Sequence, residues 1–247
     1  MTTKTIAITG ATGQFGAIAL DLLKAKQANI IALVRSPEKI SGVEARQFDY
    51  AKPEKQVEAL QGVDTLILVS SSEVGQRIQQ HKNVIEAAKK AGVKYIIYTS
   101  LLGATNDNTV KSLAGEHVQT EAALKASGIT YTILRNGWYT ENYTASIPAA
   151  LANNAFYGSA KNGKISSALR AELAEAAVNV ALNEGHENQT YELAGSTSWT
   201  LADLAAEISK QTGKEIPYVD IPAADYAAAL VQAGLDEGFA GLIAQWD

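Results

Sequence analysis

The chain has no cysteine, which removes disulfides, thiol nucleophiles and thiolate-ligated zinc or iron–sulfur clusters at once. No apolar run approaches the roughly 20 residues that a bilayer-spanning helix needs, so no membrane partner is expected. Basic residues are outnumbered, 21 Lys and Arg against 26 Asp and Glu, for a net charge of −5. No basic stripe offsets that deficit, and nucleic acid is excluded as the main ligand because a phosphate backbone is bound by clustered cations. The N-terminus enters a strand without the charged, apolar and small-residue succession of an export signal, which makes a cytoplasmic location the expectation. The N-x-T triplets at Asn142 and Asn188 then carry no glycosylation meaning. His81 and His186 lack partners at metal-ligand spacing, so no metal is expected. Internal repeats and low-complexity linkers are also missing.

What is present is a 247-residue chain, 47% hydrophobic and 19% charged, long enough for a large core. It is organised around residues 5–16, T-I-A-I-T-G-A-T-G-Q-F-G. Ile6, Ala7 and Ile8 suit a strand buried on both faces, and Gly10, Gly13 and Gly16 follow at three-residue intervals into a helix from Gln14. One glycine permits a tight turn, the second lets backbone N–H groups approach a pyrophosphate, and the third lets helix and strand pack closely. A second apolar run at 30–34 completes the βαβ unit that such a motif requires.

Strand-like runs recur at 5–9, 30–34, 44–48, 65–69, 95–99 and 130–134, with helical stretches between them. That alternation specifies an α/β fold, a Rossmann-type doubly wound parallel sheet. Pro37 opens a short helix, Pro53 another reaching Leu60, and Gly92 and Gly128 stand where helices stop. Helical patterns at 149–153 and 170–182, a returning strand at 190–193 and an alanine-rich helical tail from Leu201 complete the chain. The expected division is a core over 1–135 with returning elements at about 156–195, and a small C-terminal substrate lobe from 136–155 and 196–247.

Ligands of doubly wound sheets bind beyond the carboxyl ends of the strands. After the second strand stands Arg35, whose forked donors suit a ribose 2′-phosphate and so favour NADP over NAD; a solvated surface arginine is the alternative. After the third come Asp49 and Tyr50, placed to meet an adenine, although Asp49 equally caps a turn. Ser70, Ser71 and Ser72 follow the fourth strand as small hydroxyl residues beside the cofactor backbone, or as N-caps of a helix from about Gly75.

Ser100 follows the fifth strand, where a short-chain dehydrogenase places its catalytic serine. The Tyr-x-x-x-Lys pair that should accompany it is missing from the next helix, which reads Gly115 to Glu121 as G-E-H-V-Q-T-E. The one Tyr-x-x-x-Lys in the chain, Tyr157 to Lys161, lies in a later loop and is read as chance. His117 is the candidate proton donor, with Glu121 four residues on in the lysine's register, and a structural His–Glu pair is the commoner arrangement. Beyond the sixth strand, residues 135–143, R-N-G-W-Y-T-E-N-Y, hold aromatics and amides suited to a flat ring beside a nicotinamide, or to a hydrophobic hinge. A pocket role is expected for Gly137, Trp138 and Tyr139.

G-A-T-G-Q-F-G, A-L-V-R-S-P-E-K, S-S-S-E-V-G-Q-R, Y-T-S-L-L, L-R-N-G-W-Y-T-E-N-Y and Y-E-L-A-G-S-T-S-W-T-L, in this order, resemble the bacterial NADPH:quinone oxidoreductases of the NmrA-like, atypical short-chain dehydrogenase group. Triphenylmethane reductase is a near relative in that group. The match runs over essentially the whole chain. It implies flavin-free, two-electron reduction of a small planar quinone by NADPH. It also implies cofactor contacts at Gly10, Thr12, Gly13, Gln14, Phe15, Arg35, Ser70, Ser71, Ser72, Asn136, Gly137, Trp138 and Tyr139, with Trp138, Tyr139, Asn142 and Tyr143 shaping the ring pocket. Members of the group continue past Asp247, which leaves the closing of the substrate cleft open, and a homodimer is compatible with the sequence. The alternative is a non-catalytic NADP-binding redox sensor of the NmrA type, for which the same glycine turn would serve.

Overall fold

The computed structural model describes residues 4–104 and 113–247. The chain divides into two compact units, Met1–Gly137 with Ala168–Ala194, and Trp138–Ser167 with Gly195–Asp247. Residues 156–167, grouped from the sequence with the elements returning to the core, fall in the second unit.

The first unit is built on strands β1 (Thr5–Thr9), β2 (Asn29–Val34), β3 (Glu44–Gln47), β4 (Thr65–Leu68), β5 (Tyr95–Leu101), β6 (Thr130–Asn136) and, returning late in the chain, β8 (Gln189–Leu193). They form one sheet in the order β3-β2-β1-β4-β5-β6-β8, and every neighbouring pair is parallel. A parallel sheet needs crossovers on its faces, so its central strands lose contact with water on both sides. Ile6, Ala7 and Ile8 of β1 and Leu66, Ile67 and Leu68 of β4 are accordingly buried. The helices are α1 (Gln14–Ala25), α2 (Gln56–Ala59), α3 (Arg77–Ala91), α4 (Leu113–Ala126) and α7 (Arg170–Leu182). Helix α1 packs on α7, while α3 lies against α2 and α4.

Several boundaries differ from the sequence pattern for local reasons. Pro37 opens only a 3-10 turn, Pro37–Lys39, because the short connection to β3 leaves no room for a longer helix, whereas the 3-10 turn Pro53–Lys55 runs directly into α2, which ends at Leu60 as its C-cap. β5 runs on to Leu101 and β6 to Asn136, since pairing continues through Ser100 with Arg135 and Leu101 with Asn136. Ser100 and Asn136 therefore stand in strands rather than after them. Helix α3 starts at Arg77 with Gln76 at its N-cap, because Gly75 at φ +89° interrupts the chain just before it.

The second unit holds α5 (Thr140–Thr144), α6 (Ile147–Asn153), β7 (Phe156–Gly158), α8 (Leu201–Thr212), β9 (Tyr218–Asp220), α9 (Ala223–Gln232) and α10 (Glu237–Trp246). Its β7 and β9 pair in parallel, and its core gathers Ala150, Phe156, Leu201, Ala205, Ile208 and Ile216. Thr200 caps α8 by accepting from the Asp203 N–H at 3.1 Å while Asp203 accepts from the Thr200 N–H at 2.8 Å, a reciprocal capping box. Among the described residues, no helix is long and apolar enough to cross a membrane.

The closest packing in the first unit is at Gly16. A Cβ there would lie 2.2 Å from the Gly10 carbonyl oxygen, a backbone atom that cannot swing aside. Gly16→Ala is expected to lower the urea midpoint by an amount equivalent to about 1–3 kcal/mol, the usual range for overpacking. An unchanged midpoint would mean that α1 can withdraw from β1 at no cost.

Candidate dinucleotide and substrate site

The site begins where β1 meets α1. Gly10 sits at φ +61°, a conformation that strains any side chain. Its carbonyl accepts the Gly13 N–H at 2.8 Å, closing the turn. Gly13 occupies the N-cap of α1, with no side-chain cap and no acidic residue in the first turn. The helix therefore presents uncapped N–H groups and the positive end of its dipole. Thr12, Gly13 and Gln14 are exposed and Phe15 is buried, so Phe15 can meet a ligand only through its backbone. Arg35, directly after β2, is exposed, and among the described residues no hydrogen bond or ion pair engages its guanidinium.

The serine run after β4 is held from beneath. The Ser70 N–H donates to Thr99 Oγ1 at 2.8 Å, and the Ser71 N–H donates to His81 Nε2 at 2.9 Å. Ser71 Oγ gives its proton to Gln80 Oε1. The run does not cap α3, which starts several residues later. Arg77 Nε reaches back to the Ser71 carbonyl at 2.6 Å, and its Nη1 pairs with Glu116 Oε2 at 2.7 Å. Glu116 Oε1 accepts the Gly75 N–H at 2.7 Å. This ion pair is almost wholly buried. Tyr50, expected near an adenine, instead turns its hydroxyl to Thr9 Oγ1 at 2.7 Å and to the Val69 carbonyl. Thr9, Thr99, Gln80, His81, Arg77 and Glu116 form a supporting layer that sequence reasoning missed. The only signal was a set of polar residues on helix positions that a plain core would fill with apolar ones.

His117 and Glu121 share a buried face of α4 but enter different networks. His117 Nδ1 lies 2.7 Å from the Tyr98 hydroxyl. Burial pushes the Tyr98 pKa upward, so the phenol keeps its proton, and the imidazole tautomer sets which of the two donates. Burial, then the nearby Arg77 charge, pulls His117 down to about 3, leaving the imidazole neutral. Glu121 takes Arg135 through both oxygens, at 3.0 and 2.8 Å, and also accepts from Ser100 Oγ at 2.6 Å. The serine in the dehydrogenase position thus spends its hydrogen bond on a buried carboxylate. His81 accepts at Nε2, so its proton lies on Nδ1, facing Thr120 Oγ1 at 3.1 Å. Burial holds His81 well below the usual histidine range.

At the end of β6, Asn136 is buried and neither its Oδ1 nor its Nδ2 has a hydrogen-bond partner. An unmet buried polar group costs about 1–3 kcal/mol, so this amide is built for something beyond the described residues. Gly137 donates its N–H to the Leu193 carbonyl at 2.7 Å, and a Cβ on it would come within 3.0 Å of that oxygen. In the second unit, Trp138 stacks obliquely on Trp246 with centroids 5.6 Å apart. Tyr139 forms the N-cap of α5, Asn142 is exposed, and Tyr143 meets Trp199 edge-on at 5.1 Å. Burial raises Tyr143 to about 12, and its ring packs on the core of that unit. No cluster of metal-ligating side chains exists among the described residues.

A glycine cradle that a Cβ would fill, an uncapped helix start and an orphaned buried amide on one parallel sheet define a dinucleotide-binding protein of the Rossmann class. Comparison with known proteins narrows this. A family model described as NAD(P)H-binding matches residues 10–184. Quinone oxidoreductase 2 of Escherichia coli is 53% identical over 249 residues, spanning 98% of this chain and 86% of that protein. The crystal structure of the E. coli NADPH-dependent quinone oxidoreductase complexed with NADPH superposes with a TM-score of 0.90 at 52% identity, covering 97% of this chain and 86% of the other. Triphenylmethane reductase from Citrobacter sp. gives a TM-score of 0.92 at 38% identity, covering 98% and 87%. The chain belongs to the NAD(P)H-binding family and, within it, to the family of quinone oxidoreductase 2.

The two neutral, buried histidines make stability acid-sensitive. In the unfolded chain they protonate near 6.5, whereas folded His117 does so only near 3. Below 6.5 the unfolded state therefore binds the extra protons, and stability present above that pH is lost as pH falls, by roughly 1.4 kcal/mol per unit for each histidine. Urea midpoints between pH 7.5 and 5.5 should fall accordingly, and His117→Gln should flatten the slope. An identical slope in the variant would show that His117 charges in the folded state.

Proposed function

We propose that this protein is a flavin-independent NADPH:quinone oxidoreductase, reducing a small planar quinone to the hydroquinone in one two-electron step. Quinone oxidoreductase 2, identical at 53% of positions over nearly the whole chain, supports the substrate class. The observation that carries the reading is the state of α4 and its neighbours. His117 is neutral and bonded to Tyr98, and Ser100 donates to Glu121. Among the described residues α4 thus lacks the tyrosine and lysine pair with which a short-chain dehydrogenase protonates an ordinary ketone. A quinone does not need them. Hydride addition gives a phenolate-type anion whose conjugate acid resembles tyrosine, with a pKa of about 10, and water can complete the reaction.

Bound NADPH supplies the hydride, and the balance is one quinone, one hydride and one proton from water to one hydroquinone. The chain's own residues bind and orient. The Gly10–Gly13 turn and the N–H groups of Gln14 and Phe15 receive the pyrophosphate, with Thr12 beside them. Arg35 receives the 2′-phosphate and so selects NADPH over NADH. The Ser70–Ser72 run, shaped by Arg77 and Glu116, borders the cofactor, and Asn136 and Gly137 lie at its nicotinamide end. Trp138 and Tyr139, with Asn142 and Tyr143, supply the aromatic and amide surface for the quinone ring, where close stacking and orientation lower the barrier.

Initial rates of NADPH oxidation with a simple benzoquinone, without added flavin, should be saturable and well above the non-enzymatic rate. Arg35→Ala should reduce the preference for NADPH over NADH by roughly 10–100-fold, the value of a charge-assisted contact. Turnover that requires flavin would overturn the reaction, and an unchanged cofactor ratio would overturn the role of Arg35. NADPH binding without turnover would instead favour a redox sensor.

A further inference from the structure

Asn136 raises a question that cofactor binding in general does not answer. Its side chain is buried with both the carbonyl oxygen and the NH2 group unpartnered. Other buried or half-buried polar side chains at the carboxyl edge of the sheet in the first unit, Thr9, Thr99, Ser71 and Arg135, are bonded. A primary amide carries an acceptor and a donor side by side. The ligand edge that satisfies both at once must itself present a donor beside an acceptor.

Quinone carbonyls are acceptors only and would leave Oδ1 empty. Within NADPH, two edges qualify, the adenine and the carboxamide of the nicotinamide. Position decides between them. Arg35 follows β2, the glycine turn follows β1, and Asn136 ends β6, in a sheet ordered β3-β2-β1-β4-β5-β6-β8. At the usual strand spacing Asn136 stands about 19 Å from the β2 end and about 14 Å from the β1 end. With the 2′-phosphate at β2 and the pyrophosphate at β1, the adenosine is spent on the far side, and the half that reaches β6 is the nicotinamide. The face agrees as well. Arg135 turns to α4 through Glu121, so Asn136, the next residue, faces the opposite side of the sheet. Helices α1 and α7 cover that side, and α1 is the helix that the glycine turn opens.

Resting on the proposed NADPH binding, we propose that Asn136 recognises the nicotinamide carboxamide amide to amide, Nδ2 donating to its oxygen and Oδ1 accepting its N–H. Because both atoms are covered, the carboxamide enters by parting the neighbouring side chains, and a hydrated surface amide is not a substitute. The pair fixes the rotation of the nicotinamide ring about its glycosidic bond, and with it which face of C4 is presented to the acceptor. Asn136 is in this sense a cofactor-orienting residue.

The test is equilibrium binding to the full chain, by calorimetry, of three probes: NADP⁺, its nicotinic acid analogue in which a carboxylate replaces the carboxamide, and 2′-phospho-ADP-ribose, which lacks the base. The wild-type protein should favour NADP⁺ over the carboxylate analogue by tenfold or more, since the carboxylate has no donor for Oδ1. In Asn136→Leu that preference should shrink to within about threefold while 2′-phospho-ADP-ribose binds as before. Should the leucine variant fail to fold, Asn136→Asp keeps the shape and Oδ1 but places like charges together, and should widen the preference. Equal wild-type binding of NADP⁺ and its carboxylate analogue would overturn the proposal, as would a preference that survives in the leucine variant. Equal weakening of all three probes would show that the amide only shapes the end of β6, and would also overturn it. If none of the probes binds wild-type protein, the NADPH reading itself falls first.

Discussion

The approach of α1 to β1 at Gly10 and Gly16 is the constraint on which the rest depends. With 2.2 Å between a hypothetical Gly16 Cβ and the Gly10 oxygen, only hydrogen fits. The helix start is thereby brought against the strand end rather than a side chain's width away. That closeness aims the first N–H groups of α1 beyond the carboxyl edge of the sheet, where they have no intrachain cap. It also sets the platform on which α7 packs. Helix α7 comes from a segment far along the sequence and leads to β8 beside β6, so the placement of the edge strand traces back to a contact between two glycines.

Around that edge the protein buries polar groups where an ordinary core would be apolar. Arg77 and Glu116 are the extreme case, a pair nearly removed from water. Taking such charges out of solvent costs about as much as their attraction returns, so the pair is a poor source of stability. Its effect is on shape. Arg77 holds the Ser71 carbonyl, Glu116 holds the Gly75 N–H, and His81 holds the Ser71 N–H. A turn without regular secondary structure is thus given one conformation by three side chains, two of which come from α3 and one from α4.

The strands, their parallel arrangement and the glycine turn were legible because each is a local pattern: short apolar runs, glycine spacing, and prolines and glycines at helix limits. The place of Arg35, exposed directly after β2, was legible because it follows from where the apolar run ends. The ends of β5 and β6 were not, since Ser100 and Asn136 are polar, and only the pairing of Ser100 with Arg135 and Leu101 with Asn136 keeps them in the sheet. The partners of His117 and Glu121 were equally hidden. Spacing of four placed them on one helix face, but which atoms meet that face depends on Tyr98, Arg135 and Ser100, brought there by tertiary packing. The partners of the Tyr50 hydroxyl were hidden for the same reason, Thr9 and Val69 drawing it inward.

The silence of α4 has a consequence for what the site can reduce. A dehydrogenase that carries a tyrosine and lysine can lower the cost of forming an alkoxide, and so accepts isolated carbonyls. Here the corresponding register holds a neutral histidine and a carboxylate already shared by arginine and serine. A negative carboxylate in that position would resist, rather than assist, negative charge on a nearby oxygen, were it not neutralised by Arg135. An acceptor that stabilises its own reduced form by delocalisation, as a quinone does, suits such a register.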